Sequence, residues 1–195
     1  RNGHVVFEGS GYTDAFFPRN QEGTEFNYIG VEKNGQWGLI DKAENVILPF
    51  EYGRVNDCRH GLVQVEKNGK WGVVNLQNKT VVPFAYESVG DIAENNPSAI
   101  FVSKPDHLWY VYNIDQQKEM GHGYFAVGNF TDGITWARVA NMRVDDNTIN
   151  RALSDDNAPQ EANFAYVIDQ TGQELIATPV PIKLMPQIAA SLKKS

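Results

Sequence analysis

Cysteine occurs once in the 195 residues, at Cys58, so no internal disulfide can stabilise the fold. Burial of apolar side chains must supply the stability instead. We interpret Cys58 as a small, half-buried structural residue. The alternative is a reactive thiol, because a cation or base such as Arg59 or His60 nearby can activate sulfur.

Long apolar runs and excess positive charge are missing too. No stretch of about 18 apolar residues occurs, so we expect no membrane insertion. The net charge of −7 and the pI of about 5.1 disfavour nucleic acid and anionic membranes as partners. The first residues show no signal-peptide pattern, and Arg1 in place of Met suggests a mature or trimmed chain, which leaves the compartment open.

Motifs for catalysis are also absent. His4, His60, His107 and His122 show no metal-ligand spacing. Gly9-Ser10-Gly11 is not the Gly-x-Ser-x-Gly turn of a hydrolase nucleophile, and no phosphate-binding glycine loop is followed by a helix. We therefore expect no enzyme, no catalytic residue, no cofactor and no metal, and a hydrolase is the least favoured function.

An internal repeat is the strongest signal that is present. Residues 28–57 align with residues 62–91 at a shift of 34 without a gap. The aligned segments share Val-Glu-Lys-Asn-Gly, Trp-Gly and Pro-Phe-x-Tyr. The repeated residues that we expect to determine the structure are Asn34, Gly35, Trp37, Gly38, Pro49 and Tyr52 in one copy and Asn68, Gly69, Trp71, Gly72, Pro83 and Tyr86 in the other.

Weaker copies extend the repeat. A third copy keeps Trp109 but has Pro105-Asp106-His107 where the others have Asn-Gly, and a fourth begins near 132 and resumes at 164, where Ile168-Asp169 matches Ile40-Asp41. We predict one β-repeat domain over 1–195. Its units are roughly 1–27 in part, 28–61, 62–97, 98–130 and 131–180, with an insertion at 140–162 and a tail over 181–195.

The repeated residues resemble the WG-repeat (KWG-type) family of bacterial proteins. Units of that family run as a hydrophobic strand, Asn/Asp-Gly-Lys-Trp-Gly, Ile-Asp-x-x-Gly, a short apolar strand, proline and an aromatic residue. The fit is closest for residues 26–91. The resemblance implies a β-repeat fold with a protein-binding or scaffolding role and supplies no catalytic residues. For location, we lean towards the bacterial periplasm or cell surface.

Each repeat should begin with a hairpin, because Asn-Gly between β-rich runs favours a type I′ turn. A two-residue turn places Lys67 opposite Lys70 and Val65 opposite Gly72, with Glu66 opposite Trp71 and Val63 opposite Val74. Recurrence of Glu32 and Glu66 argues for cross-strand packing rather than catalysis. The Trp-Gly glycine leaves a hole in the sheet that an aromatic ring or backbone of the adjoining unit would fill.

A short third strand should end at Pro49 and Pro83, where we expect the chain to turn. The rings of Phe50 and Tyr52, and of Phe84 and Tyr86, are interpreted as packing between units, with an exposed ligand platform as the alternative. The fold class is then all-β, an array of about four three-stranded units. The array is open and solenoid-like or partly curled, with a propeller-like ring as the alternative, and a short helix over 186–194 covers its end.

The insertion at 140–162 is the candidate binding loop, because repeat proteins tend to place insertions on one face. Its acidic clusters suit either a solvated loop or a calcium site, and their residues are Asp145, Asp146, Asn147, Asp155, Asp156 and Asn157.

Two functions are predicted from different classes. The first is a non-catalytic protein-interaction or scaffolding module. The second is a glycan-binding module in which aromatic rings stack on sugars; its candidates are Trp37, Trp71, Trp109, Trp136, Tyr12, Tyr110, Tyr112 and Tyr124. The second function requires exposed rings, so the exposure of the indoles separates the two.

Overall fold

In the computed structural model, the described residues are 11–18, 27–93, 97–130, 133–138, 164–175, 180–181, 187 and 190–191. They form an all-β structure of antiparallel strands. The chain divides into two compact units, Arg1–Ile92 and Ala93–Ser195.

The first unit contains two four-stranded antiparallel sheets in which neighbouring strands follow the order of the sequence. The strands of the first sheet are β1 (Asp14–Phe16), β2 (Tyr28–Lys33), β3 (Gln36–Asp41) and β4 (Val46–Tyr52). Those of the second are β5 (Arg54–Arg59), β6 (Leu62–Lys67), β7 (Lys70–Asn75) and β8 (Thr80–Tyr86). A short strand, β9 (Ser88–Val89), follows.

The second unit repeats the pattern with larger departures. One antiparallel sheet holds β10 (Ala99–Ser103), β11 (Trp109–Asn113) and β12 (Lys118–Tyr124). A four-stranded sheet holds β13 (Ala126–Val127), β14 (Ile134–Arg138), β15 (Phe164–Asp169) and β16 (Val180–Pro181). Strands β14 and β15 pair with each other although residues 139–163 separate them in the sequence.

The hairpin register predicted from Asn68-Gly69 is confirmed. Val63 pairs with Val74, Val65 with Gly72, and Glu66 with Trp71. The equivalent pair in the first sheet is Glu32 with Trp37. Type I′ turns fix this register because their twist matches that of the strands they join.

The sheets of the first unit have one strand more than the three we predicted. The additional strand in the second sheet is β5, which pairs with β6. Its register shifts between Val55 and Cys58, so Asp57 and Cys58 are both buried and the expected alternation is broken. Strand β5 therefore does not show the period of two by which a strand is recognised in a sequence.

The prediction that the chain turns at Pro49 and Pro83 is wrong. Strand β4 continues through Pro49 to Tyr52, and β8 continues through Pro83 to Tyr86. Both are outer strands of their sheets, where a residue without an N–H group is tolerated. Leu39 pairs with Leu48 and Trp37 with Tyr52, so β4 bulges opposite Gly38.

Each second strand of a hairpin ends in a loop that begins with Asp or Asn, and we call these four the Asx loops. The side-chain Oδ1 of the first residue accepts backbone N–H groups further along the loop, and the four residues are Asp41, Asn75, Asn113 and Asp169. A residue with positive φ follows in each loop: Glu44, Asn78, Gln117 and Gly172. These shared loops extend the repeat to all four hairpins.

The core of the first unit joins its two sheets. Leu39 and Leu48 of the first sheet lie in one buried cluster with Val63, Val65 and Val74 of the second. All five are 0–1% exposed. The predicted dependence of one hairpin on its neighbour for burial is therefore confirmed within this unit.

The predicted C-terminal helix is not shown. Of the residues predicted to form the helix, 186–194, the described ones are Gln187, Ala190 and Ser191, which are too few to define a helix. The helix stays a prediction. Among the described residues, no helix is long and apolar enough to cross a membrane.

Candidate functional site

The hairpin tips of the first unit are tight turns that are exposed to solvent. Asn34 and Gly35 have φ angles of 54° and 78°, and Asn68 and Gly69 have 55° and 75°. All four residues are exposed. Glu66 closes the second tip, because its Oε1 accepts a hydrogen bond of 2.7 Å from the backbone N–H of Gly69. The same conformation is thus presented to solvent twice.

A lysine lies beside each tip and over aromatic rings. Lys33 Nζ is 5.8 Å from the ring centroid of Tyr12 and 5.9 Å from that of Phe50. The two rings are stacked, with centroids 5.8 Å apart. These distances suit cation–π attraction, so the lysine stem and its charge are held against the sheet. We call Tyr12, Lys33 and Phe50 the first lysine–aromatic cluster.

The second cluster repeats this geometry with Tyr52, Lys67 and Phe84. Lys67 Nζ is 5.8 Å from the Tyr52 centroid, and the Tyr52 and Phe84 centroids are 6.2 Å apart. Lys67 also forms an ion pair of 3.1 Å with Glu51. The hydrogen bond from Lys67 lowers the pKa of the Glu51 carboxyl. Each cluster therefore places a lysine charge near a partly exposed phenylalanine ring, Phe50 in the first and Phe84 in the second, while Tyr52 is buried.

These lysines are not among the site residues predicted from the sequence. A signal was available, since Lys33 and Lys67 recur at the repeat distance, each directly before Asn-Gly. Lys104 of the third copy again lies over an aromatic ring, 4.1 Å from the centroid of Tyr110, and contacts Glu119. Glu51 carries no such signal, because Ala85 occupies its position in the next copy.

The aromatic residues of the Pro-Phe-x-Tyr segments serve packing. Tyr52 and Tyr86 are 1% and 4% exposed. Tyr52 of one repeat stacks on Phe84 of the next, so the interpretation as packing between repeats is confirmed for this pair. An exposed platform made by both rings of each segment is not observed.

The glycines of the two Trp-Gly pairs are covered by a different part of the chain from the one we predicted. A Cβ on Gly38 would lie 2.8 Å from the Leu48 carbonyl oxygen and 3.0 Å from Cδ1 of Phe50. An aromatic ring and backbone do cover the glycine, as expected, but they belong to β4 of the same sheet rather than to an adjoining unit. The same distances recur at Gly72 with Val82 and Phe84.

All four tryptophans are half-buried. Phe16 meets the Trp37 ring edge-on, with centroids 5.2 Å apart. Trp136 covers Gly128, where an added Cβ would lie within 3 Å of the indole. Each indole is therefore partly accessible to solvent.

The residues predicted for the binding loop, Asp145–Asn147 and Asp155–Asn157, lie outside the described residues. In the part of the chain that is described, no three His, Cys, Asp or Glu side chains lie close enough to hold a metal ion. The acidic clusters of this loop stay a prediction, and the repeated tips and lysine–aromatic clusters are the candidate surface among the described residues.

Comparison with known families supports the repeat assignment. The family model described as "WG containing repeat" matches residues 37–71 and 71–104 in tandem. The segment from 37 to 104 thus consists of WG repeats, which confirms the resemblance that Trp-Gly and Pro-Phe-x-Tyr indicated. No curated protein sequence matches the chain.

Several solved structures are similar to the chain at low identity. Hsv2p of Kluyveromyces lactis has a TM-score of 0.43 at 11% identity, with 87% of this chain and 49% of that chain covered. The computationally designed Ika8 protein has a TM-score of 0.43 at 14% identity, with 85% and 48% covered. HIRA(644-1017) has a TM-score of 0.37 at 8% identity, with 80% and 45% covered. The chain spans about half the length of these proteins.

Proposed function

We propose that the chain is a non-catalytic protein-interaction module whose contact surface includes the hairpin tips and lysine–aromatic clusters of the first unit. The observation that carries the proposal is the repetition of Lys33 with Tyr12 and Phe50 as Lys67 with Tyr52 and Phe84. Two similar contact points in one unit suit a partner that is itself extended or repetitive.

The chemistry of the clusters favours a protein partner. Aromatic residues are enriched among the side chains that contribute most of the binding energy in protein interfaces. The type I′ tips are conformationally restricted, so little entropy is lost when they are covered. The partly exposed side chain of Glu51 beside Lys67 offers the opposite charge for a polar rim.

Site-specific crosslinking tests the proposal. A photoreactive residue replaces Gln36 or Lys70, the matching positions directly after the two tips, and Lys79 serves as an exposed control in an Asx loop. In the source cell, both tip positions should crosslink to the same protein while position 79 does not. Equal crosslinking from all three positions, or none from the tips, would overturn the proposal.

Deletion of residues 143–160 forms a separate arm of the same experiment. If the tips carry the interaction, the deletion leaves their crosslinks unchanged. Loss of the crosslinks in a variant that still folds would show that the interaction depends on the insertion.

Glycan binding is the second candidate, favoured by the partial exposure of all four indoles. Acrylamide quenching of tryptophan fluorescence separates the candidates. A sugar that stacks on an indole should reduce the quenching in a saturable way. A protein-interaction module predicts quenching that no oligosaccharide changes.

A further inference from the structure

The two hairpin tips of the first unit carry the same chemically reactive pair of residues. Asn34-Gly35 and Asn68-Gly69 each follow a lysine, and both pairs are exposed. An added Cβ on Gly35 or Gly69 would meet nothing within 4 Å, so the space around both glycines is open. Asparagine before glycine is especially prone to deamidation, because no side chain hinders attack by the glycine nitrogen. The two tips therefore offer the same reaction in two settings.

Deamidation uses the backbone as its nucleophile. The glycine N–H loses its proton to hydroxide, and the nitrogen attacks Cγ of the preceding asparagine. The Cγ–Nδ2 bond then breaks, the leaving nitrogen takes up a proton from water, and ammonia departs, which leaves a succinimide ring. Water opens the ring at either carbonyl and yields aspartate or isoaspartate. Water is the only co-reactant consumed, and no group is oxidised or reduced.

The glycine N–H has different surroundings at the two tips. A tight turn forms its backbone hydrogen bond between its flanking residues, so the glycine N–H takes no part in that bond. At the second tip, Oε1 of Glu66 accepts the N–H of Gly69 over 2.7 Å. The equivalent Glu32 is bound elsewhere, since its Oε2 accepts a hydrogen bond of 3.0 Å from Oγ1 of Thr13. In the described part of the chain, no carboxylate accepts the N–H of Gly35.

The hydrogen bond from Gly69 to Glu66 opposes the first step of the reaction. A carboxylate that accepts an N–H favours the protonated nitrogen, and its negative charge disfavours the amide anion that must form. Backbone conformation does not distinguish the tips, because the φ angles of the two asparagines are 54° and 55° and those of the two glycines are 78° and 75°. The carboxylate is therefore the difference that bears on the reaction.

We propose that Asn34 is a site of spontaneous deamidation in the folded protein and that Glu66 protects Asn68 from the same reaction. The product adds a negative charge next to Lys33 of the first lysine–aromatic cluster. Isoaspartate also lengthens the backbone by one carbon, which the geometry of a two-residue turn does not accommodate. The proposal does not require that the tips bind a partner, so it and the proposed function can fail independently.

Mass spectrometry of the incubated protein tests the proposal. The intact chain is kept at pH 8 and digested at intervals, and each asparagine is followed by the mass gained when its amide becomes a carboxyl group. Asn34 should convert roughly tenfold faster than Asn68, because a hydrogen bond to a charged group must be broken at the second tip. In urea, the two Lys-Asn-Gly segments should convert at similar rates. Equal rates in the folded chain, or an unchanged ratio in urea, would overturn the proposal.

Two matched variants identify the cause. Glu66→Gln keeps the size of the side chain and removes its charge, so Asn68 should convert several-fold faster than in the wild type. Glu32→Gln is the equivalent change at the first tip and should leave the rate at Asn34 unchanged. The unaltered tip of each variant reports on the fold, because unfolding would accelerate it as well. An unchanged rate at Asn68 in Glu66→Gln, or equal acceleration at the altered tip of both variants, would contradict protection by Glu66.

Discussion

Tyr52, the last residue of β4, donates a hydrogen bond from its hydroxyl to Oδ1 of Asn78 in an Asx loop of the neighbouring sheet, over 2.5 Å. The second unit contains the equivalent contact. Tyr124, the last residue of β12, donates to the carbonyl oxygen of Gly172 over 3.4 Å. In both units a tyrosine at the end of one sheet thus contacts the positive-φ residue of the next, which sets the relative position of successive repeats.

Tyr52→Phe should destabilise the protein by about 0.5–1.5 kcal/mol, because the aromatic packing is kept and one partly buried hydrogen bond is lost. Urea unfolding followed by tryptophan fluorescence measures the change. Asn78→Ala and the double variant complete a mutant cycle. If the two residues interact directly, the second substitution should cost less in the background of the first; additive costs would argue against the contact.

Gly72→Ala should destabilise by about 1–3 kcal/mol through overpacking, because the new Cβ would lie 2.8 Å from the carbonyl oxygen of Val82. Gly69→Ala is the matched control, since nothing lies within 4 Å of its added Cβ and its cost comes from the φ of +75° alone. Combining each variant with Phe84→Leu distinguishes the causes. Relief of the ring contact should recover part of the loss at Gly72 and none at Gly69; equal recovery would contradict this explanation.

The hairpins of the first unit were predictable from the sequence because local chemistry decides them. Asn68-Gly69 determines the turn, and the turn determines that Glu66 faces Trp71. Strand β5 was not predictable, because its bulge buries Asp57 and Cys58 side by side. The turn predicted at Pro49 was wrong because only the sheet order reveals that Pro49 lies in an outer strand.

The lysine–aromatic clusters depend on contacts that are distant in sequence, such as Tyr12 with Phe50. The recurrence of Lys33 and Lys67 is visible in the sequence, but the contacts of these lysines with aromatic rings are not.

Glu44→Gly should stabilise the protein by roughly 0.5–1 kcal/mol. Glu44 has a φ of 63° in its Asx loop, where Gly172 occupies the equivalent position of the fourth hairpin. A left-handed conformation costs a non-glycine residue about 1–2 kcal/mol, which outweighs the entropy that glycine loses on folding. Thermal unfolding at neutral pH measures the gain. Glu44→Ala is the control, because it removes the carboxylate and keeps the backbone strain of the positive φ. A gain in stability of the same size in that variant would show that loss of the charge, and not relief of strain, causes the effect.

The protein should lose stability at alkaline pH through Tyr52 and Tyr124. Burial, with a smaller contribution from nearby carboxylates, raises the pKa of each hydroxyl from 10.0 to about 12. The fold therefore favours the neutral phenol, so this stabilisation is complete below pH 10 and is lost as the pH rises towards 12. Linkage limits the loss to about 1.4 kcal/mol per pH unit for each tyrosine.

Urea unfolding at pH 8, 10, 10.5 and 11 measures this loss. Tyr52→Phe and Tyr124→Phe begin from lower stability at pH 8 because each lacks a hydrogen bond, but each should decline less steeply than the wild type above pH 10. The double variant should decline least, since neither phenol remains to ionise. A decline in the double variant that runs parallel to that of the wild type would show that other groups cause the alkaline loss, and that burial of these two hydroxyls does not contribute to the pH dependence of folding.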